Sequence, residues 1–249
     1  MQTENNQTQD YFLANSLLIT GGAIGPLLFI LVLLVEGATR PGYDAWRQAG
    51  SALSLSDQGW MQITNFIVCG LLILGFAVGV RQTFRRGRGA TWGPILLAVV
   101  GAGLIVAGIF VTDPAQGYPP GTPDGPTLHT TLHGNIHFFI GGIAFFSGLP
   151  ASCFVFARRW ASDPQWKGWA AFSVVAGVLM LAFFVAFAFV AASVQGGESA
   201  GLLERISISI GMVWMALFAL RLLSQVRSSV SSALEAGTAE HTGQAQKVE

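Results

Sequence analysis

Six long apolar segments dominate the sequence and limit what the chain can fold into. Each contains about 20 consecutive, mostly apolar residues, which is the length that an α-helix needs to cross the hydrocarbon core of a membrane. Only 10% of the residues are charged, whereas a soluble domain carries roughly 25%. We therefore predict an all-α polytopic membrane protein, a bundle of six transmembrane helices. The predicted spans are 16–35, 61–80, 92–111, 136–157, 169–193 and 206–223.

The positions of Arg and Lys predict the orientation of the bundle, because short cytoplasmic loops carry an excess of these residues. They are concentrated in the loops that follow the second and fourth spans, and Arg227 follows the sixth. The opposite side has only Arg40, Arg47 and Arg205. We predict a multi-pass protein of the cytoplasmic membrane with both termini in the cytoplasm.

The spans also divide the chain into three parts. We expect a cytoplasmic N-terminal tail at 1–14, a six-helix transmembrane domain at 15–224 and a disordered cytoplasmic tail at 225–249. The formal net charge is zero, so no basic field is available to hold a nucleic acid. The expected partners are membrane lipids.

The segment 40–60, between the first two spans, is too polar to cross a membrane. Tyr43, Trp46, Ala49 and Leu53 recur in it near helical spacing. Such a segment can lie in the headgroup plane as an amphipathic helix. Alternatively, it is a loop packed on the helix ends, and the sequence leaves both interpretations open.

Many of the remaining polar residues fall on the predicted extracytoplasmic half. Polar groups near membrane depth are costly and usually face the bundle interior or a wet cavity. We therefore predict one extracytoplasmic polar site; the alternative is a set of separate, solvated loop charges. The candidate residues are Arg40, Asp113, His129, His133, His137, Glu204 and Arg205.

Three of these candidates, His129, His133 and His137, are spaced four residues apart. On a helix they would form a stripe along one face. Two neighbouring histidines can share a metal, but the outer two would be about 12 Å apart along the axis, too far for one zinc ion. A zinc site with His133 and Asp113 as ligands is therefore one hypothesis, and helix packing or a proton-sensitive cluster is the other. Otherwise we expect no cofactor.

Asp113 lies in a Thr-Asp-Pro sequence at the predicted C-terminal end of the third span. A carboxylate is unfavourable at that end of the helix dipole, so we expect a cation beside it, either Arg40, Arg205 or a protonated histidine. We predict that Asp113, His133 and Arg205 line one cavity. We favour His133 over His129 because it lies nearer the apolar span, where burial is expected, whereas the deeper His137 is expected only to pack.

Several short motifs together resemble one family of membrane proteins. They are Glu36 to Tyr43, Ser51 to Ser54, Thr112 to Pro114, the Leu-His pairs at His129 and His133, and Gly201 to Ile206. Their order resembles the bacterial and archaeal membrane proteins catalogued as domain of unknown function 998, over about 17–223. The resemblance implies the fold and topology and assigns no activity.

A weaker likeness is to membrane metal hydrolases of the alkaline ceramidase and adiponectin receptor type. Those proteins use Ser, Asp and three His on seven helices, whereas this chain has six predicted spans and no histidine pair in the last one. The first functional hypothesis is therefore an integral membrane protein that binds a lipid headgroup or membrane partner at its outer face. The alternatives are a membrane-embedded metal-dependent lipid hydrolase and a small transporter.

Overall fold

The computed structural model describes residues 2–193 and 197–245, and 74% of the chain is helical. Two short 3₁₀ turns lie at Gly50–Ser54 and Pro164–Trp166, and a π-helical turn at His137–Gly142 joins two α-helices into one continuous rod. The α-helices are α1 Gln2–Thr39, α2 Trp60–Thr83, α3 Trp92–Ile109, α4 Leu132–Ile136, α5 Ile143–Trp160, α6 Trp169–Ala191 and α7 Ala200–Ala245. Among the described residues there is no β-strand.

These elements form six helical rods that are long and apolar enough to cross a membrane. The rod made of α4, the π turn and α5 is the fourth. This result confirms the predicted fold class. The six candidate spans are Tyr11–Thr39, Trp60–Thr83, Trp92–Ile109, Leu132–Trp160, Trp169–Ala191 and Ala200–Ser228.

The spans form a closed ring in chain order. Each packs against the next, and α7 returns to pack against α1. Small residues allow the closest approach: a Cβ added at Gly70 of α2 would lie 2.6 Å from the carbonyl oxygen of Gly101 on α3. Such small residues are typical of contacts between membrane helices. At one end of the ring, a cluster of buried aromatic rings fills the centre, with Phe156, Trp160 and Phe218 as members.

The two ends of the ring differ in chemistry. We call the end with the connections 84–91 and 161–168 the basic end; there Arg159 donates hydrogen bonds to the carbonyl oxygens of Arg86 and Arg88. We call the end with the connections 40–59 and 110–131 the polar end. Which end faces the cytoplasm, and the membrane in which the protein lies, stay predictions. The division into two tails and a transmembrane domain also stays a prediction. In the structure, α1 already begins at Gln2 and α7 continues to Ala245.

The segment 40–60 is a loop packed on the helix ends, which was the second of its two interpretations. Its only helical part is the 3₁₀ turn Gly50–Ser54, which is too short for an amphipathic surface helix. Leu53 of this turn is fully buried, whereas Trp46 is exposed. The 40–59 loop therefore folds inward over the ring and covers the centre of its polar end.

Candidate functional site

Arg205, one of the candidate residues, attaches the 40–59 loop to α7. Its guanidinium donates to the carbonyl oxygens of Ala45 and Gln48, both at 2.8 Å, and to the hydroxyl of Tyr43. It also donates to the carbonyl of Gly201 on its own helix at 3.0 Å. Burial is the main influence on the Tyr43 hydroxyl, and it raises the pKa above its usual value. The neighbouring guanidinium opposes that shift.

Arg40 attaches the other half of the same loop to α1. It forms a buried ion pair with Glu36 at 2.8 Å. It also donates to the carbonyl oxygens of Leu53 and Gln58, at 3.3 and 3.0 Å, and to the hydroxyl of Ser56 at 3.2 Å. Both arginines therefore use most of their donors to hold the 40–59 loop, although the buried Nε of Arg205 has no partner among the described residues.

Asp113 does not have the environment that the sequence predicted. Because α3 ends at Ile109, Asp113 lies beyond the region where the helix dipole acts. Its carboxylate accepts hydrogen bonds from the backbone N–H of Thr131 at 2.9 Å and from the hydroxyl of that residue at 2.6 Å. Thr131 in turn caps α4 by accepting the Gly134 N–H at 3.0 Å. Within residues 2–193 and 197–245 no Lys or Arg forms an ion pair with Asp113, whereas His137 interacts with it electrostatically. The expected cationic partner of Asp113 stays a prediction.

The three histidines lie in three different environments. His129 is exposed in the irregular segment before α4, because the helix begins only at Leu132. His133 is also exposed, with its ring 5.3 Å from that of Phe110. His137 is buried, with 7% of its surface exposed. The expected preference for His133 on the grounds of burial was therefore wrong. The common cavity of Asp113, His133 and Arg205 stays a prediction; no hydrogen bond or ion pair joins these three residues in the described part of the chain.

His137 has a position that only the fold reveals. Its Nδ1 lies 2.8 Å from the carbonyl oxygen of Phe110 and 3.1 Å from that of Ala107. These carbonyls belong to the end of α3, where helical carbonyls lack partners within the helix. Two acceptors around Nδ1 require that this nitrogen carries the proton. In the neutral ring, Nε2 is then an acceptor, and no described residue bonds to it.

The ring encloses a cavity of about 150 Å³ beneath the 40–59 loop, and every span contributes to its wall. Phe138 belongs to this wall and is also half exposed on the outside of the ring. The cavity therefore approaches the lipid-facing surface beside the π-helical turn. Most of the wall is apolar, and it contains the phenylalanines Phe29, Phe66, Phe138, Phe145, Phe146, Phe184 and Phe187.

Three polar side chains in this wall have hydrogen-bonding capacity to spare. Gln62 is completely buried; its Oε1 accepts from Asn65, whereas its Nε2 has no partner in the described part of the chain. Glu204 is 6% exposed and accepts the Gly50 N–H at 2.6 Å. It forms no ion pair with any described Lys, Arg or His. With His137, these residues form what we call the cavity triad: Gln62, His137 and Glu204.

His137 and Glu204 are among the candidates predicted from the sequence, and Gln62 is not. A signal was present, since Gln62 and Asn65 are two amides three residues apart at the start of an apolar span. Buried amides need partners, so such a pair indicates an interior polar contact. Arg40 and Arg205 do not line the cavity. Their positions depend on tertiary packing, and no local sequence pattern indicates them.

No group of three or more His, Cys, Asp or Glu side chains that could hold a metal ion occurs in residues 2–193 and 197–245. Asp113 and His133, the predicted zinc ligands, are not part of such a group. Zinc binding stays a prediction. Both cysteines, Cys69 and Cys153, are buried and free.

Six apolar spans closed around a central cavity define a multi-pass α-helical membrane protein. The chain belongs to the family described as protein of unknown function (DUF998), whose family model matches residues 23–221. This match confirms the resemblance that the short motifs indicated. No curated protein and no solved structure matches the chain significantly.

Proposed function

We propose that the protein binds a membrane lipid, with the headgroup in the cavity at the polar end and in contact with the cavity triad. The observation that carries this proposal is the unpaired Gln62 amide, which is completely buried in a largely aromatic wall. An unsatisfied buried donor costs on the order of 1–3 kcal/mol. A ligand that supplies an acceptor there recovers this free energy.

Three further features support the proposal. The wall is mostly apolar with a few polar groups, as is usual for sites that bind amphipathic molecules. Phe138 links the wall to the outer surface of the ring, so a lipid can enter from the side. In addition, the π-helical turn that carries His137 and Phe138 is a rare element that occurs frequently at functional sites.

Native mass spectrometry of the protein, purified in a mild detergent, tests the proposal. Wild type is expected to retain one phospholipid per chain. Gly142→Leu should reduce this occupancy by about tenfold, the effect of losing about 1.4 kcal/mol of binding free energy. Gly142 lines the cavity, and a Cβ added there meets only the His137 carbonyl oxygen, at an ordinary 3.7 Å. The leucine therefore fills space without a backbone clash.

The matched control is Val178→Leu, which adds volume on the exposed face of α6. It should retain lipid like wild type. The proposal fails when wild type carries no lipid, or when Gly142→Leu retains as much as Val178→Leu.

A further inference from the structure

The charges around the cavity point to a particular headgroup. Glu204 is its only acidic lining residue, and none of the described lining residues is Lys or Arg. Arg205, the next residue along α7, donates to the Tyr43 hydroxyl and to the backbone instead. The carboxylate therefore lines the cavity without an ion-pair partner among the described residues, although the nearby Arg205 guanidinium acts on it electrostatically.

The other groups of the cavity also attract positive charge. The Nε2 atom of His137 is an acceptor in the neutral ring, because Nδ1 is held by the α3 carbonyls. The hydroxyl-bearing residues Ser51 and Thr112 lie in the same wall. The faces of the surrounding phenylalanine rings carry the negative part of the ring quadrupole and attract cations. The Gln62 amide is a buried donor of this wall that has no partner among the described residues.

Building on the proposed lipid binding, we propose that the ligand carries a primary alkylammonium group, as in an ethanolamine headgroup, and that Glu204 and His137 receive it. A primary ammonium has three N–H donors and no acceptor, which matches the carboxylate and the imidazole Nε2. The Gln62 amide then donates to an oxygen of the same headgroup. A quaternary ammonium has no N–H donors and cannot form a hydrogen bond to either group.

The test compares three phospholipids that have the same acyl chains and differ only in the headgroup. The protein is equilibrated with equal amounts of ethanolamine, choline and glycerol lipids in nanodiscs and repurified, and the retained lipid is quantified by mass spectrometry. Wild type should retain ethanolamine lipid at least about tenfold over each of the others. This ratio is measured on wild type and does not depend on the folding of any variant.

The second measurement is on Glu204→Gln, which keeps an oxygen to accept the Gly50 N–H and removes the charge. It should lose the preference for ethanolamine. Glu198→Gln is the matched control, because Glu198 is exposed just before α7 at the same end of the ring. It should keep the preference. Equal retention of the three lipids, or an unchanged preference in Glu204→Gln, overturns the ammonium assignment.

A water-soluble arm separates a lipid from a free amine. Ethanolamine is added to the detergent-purified protein, and the thermal unfolding midpoint is measured. Stabilisation by free ethanolamine that Glu204→Gln abolishes, with no retained lipid, supports the ammonium site and overturns the proposed lipid binding. If Gly142→Leu displaces the lipid but wild type shows no headgroup preference, the result supports lipid binding and overturns the ammonium site. Absence of both effects overturns both proposals.

Discussion

Arg205 offers the most direct test of how the polar end is held together. Three hydrogen bonds join its guanidinium to the 40–59 loop: two to the carbonyl oxygens of Ala45 and Gln48 at 2.8 Å, and one to the Tyr43 hydroxyl. In Arg205→Met, the two carbonyls lose the guanidinium donor, and the methionine supplies no replacement. An apolar replacement is tolerated only where both partners of a polar pair are removed.

The size of the effect follows from the number of bonds. Hydrogen bonds to charged groups contribute about 1.5–3 kcal/mol each, so the loss of three should destabilise the loop by about 5 kcal/mol at the lower end of that range. Arg205→Lys keeps the charge but not the planar fork that reaches several acceptors at once. The stability of the loop in Arg205→Lys should lie between that in wild type and that in Arg205→Met.

Hydrogen–deuterium exchange is the assay, because it reports local opening of the loop separately from global unfolding. The amides of 43–50 should exchange much faster in Arg205→Met. The control is Arg221→Met on the same helix, where one exposed guanidinium bond to the Gln165 carbonyl at 2.7 Å is lost. Exchange in 43–50 that is the same in both variants would refute the role assigned to Arg205.

Three further predictions concern other parts of the molecule. Arg40→Met leaves the Glu36 carboxylate buried without its partner; it should cost about 3–5 kcal/mol by thermal unfolding, and the double variant with Glu36→Leu should recover part of the loss. His137→Phe removes the donor to the end of α3 and should cost about 1–2 kcal/mol in the same assay, whereas alanine at the two exposed histidines should change stability by less than about 0.5 kcal/mol. A cysteine at Thr122 should react with an impermeant reagent outside the cell and one at Gly87 should not; the reverse pattern would invert the predicted topology.

The sequence predicted the number and order of the spans because apolar length alone decides which segments can cross a membrane. It was less accurate where a span ends. The third span was predicted to 111, whereas α3 ends at Ile109, and this difference removed the dipole argument for Asp113. Composition marks where the apolar run stops, but the last helical hydrogen bond depends on local packing.

The start of the fourth span shows what a capping signal could have added. Thr131 is the N-cap of α4, and threonine is a preferred residue at that position. With a start at Leu132, His129 falls outside the helix and no stripe of three histidines remains. The π-helical turn at His137–Gly142 has no comparable signature, so the position of His137 against the α3 carbonyls could not be predicted from spacing.

Arg205 and Glu204 are adjacent on α7, and they contact different residues of the 40–59 loop. Arg205 holds the loop by Ala45 and Gln48, and Glu204 accepts the N–H of Gly50, a residue that also lines the cavity. The loop that Arg205 holds therefore forms part of the cavity wall. A loosened loop removes the Gly50 N–H that orients the carboxylate, so a variant at Arg205 should weaken ligand retention although Arg205 itself does not line the cavity. Binding at the triad and attachment of the loop are in this way coupled through a single turn of one helix.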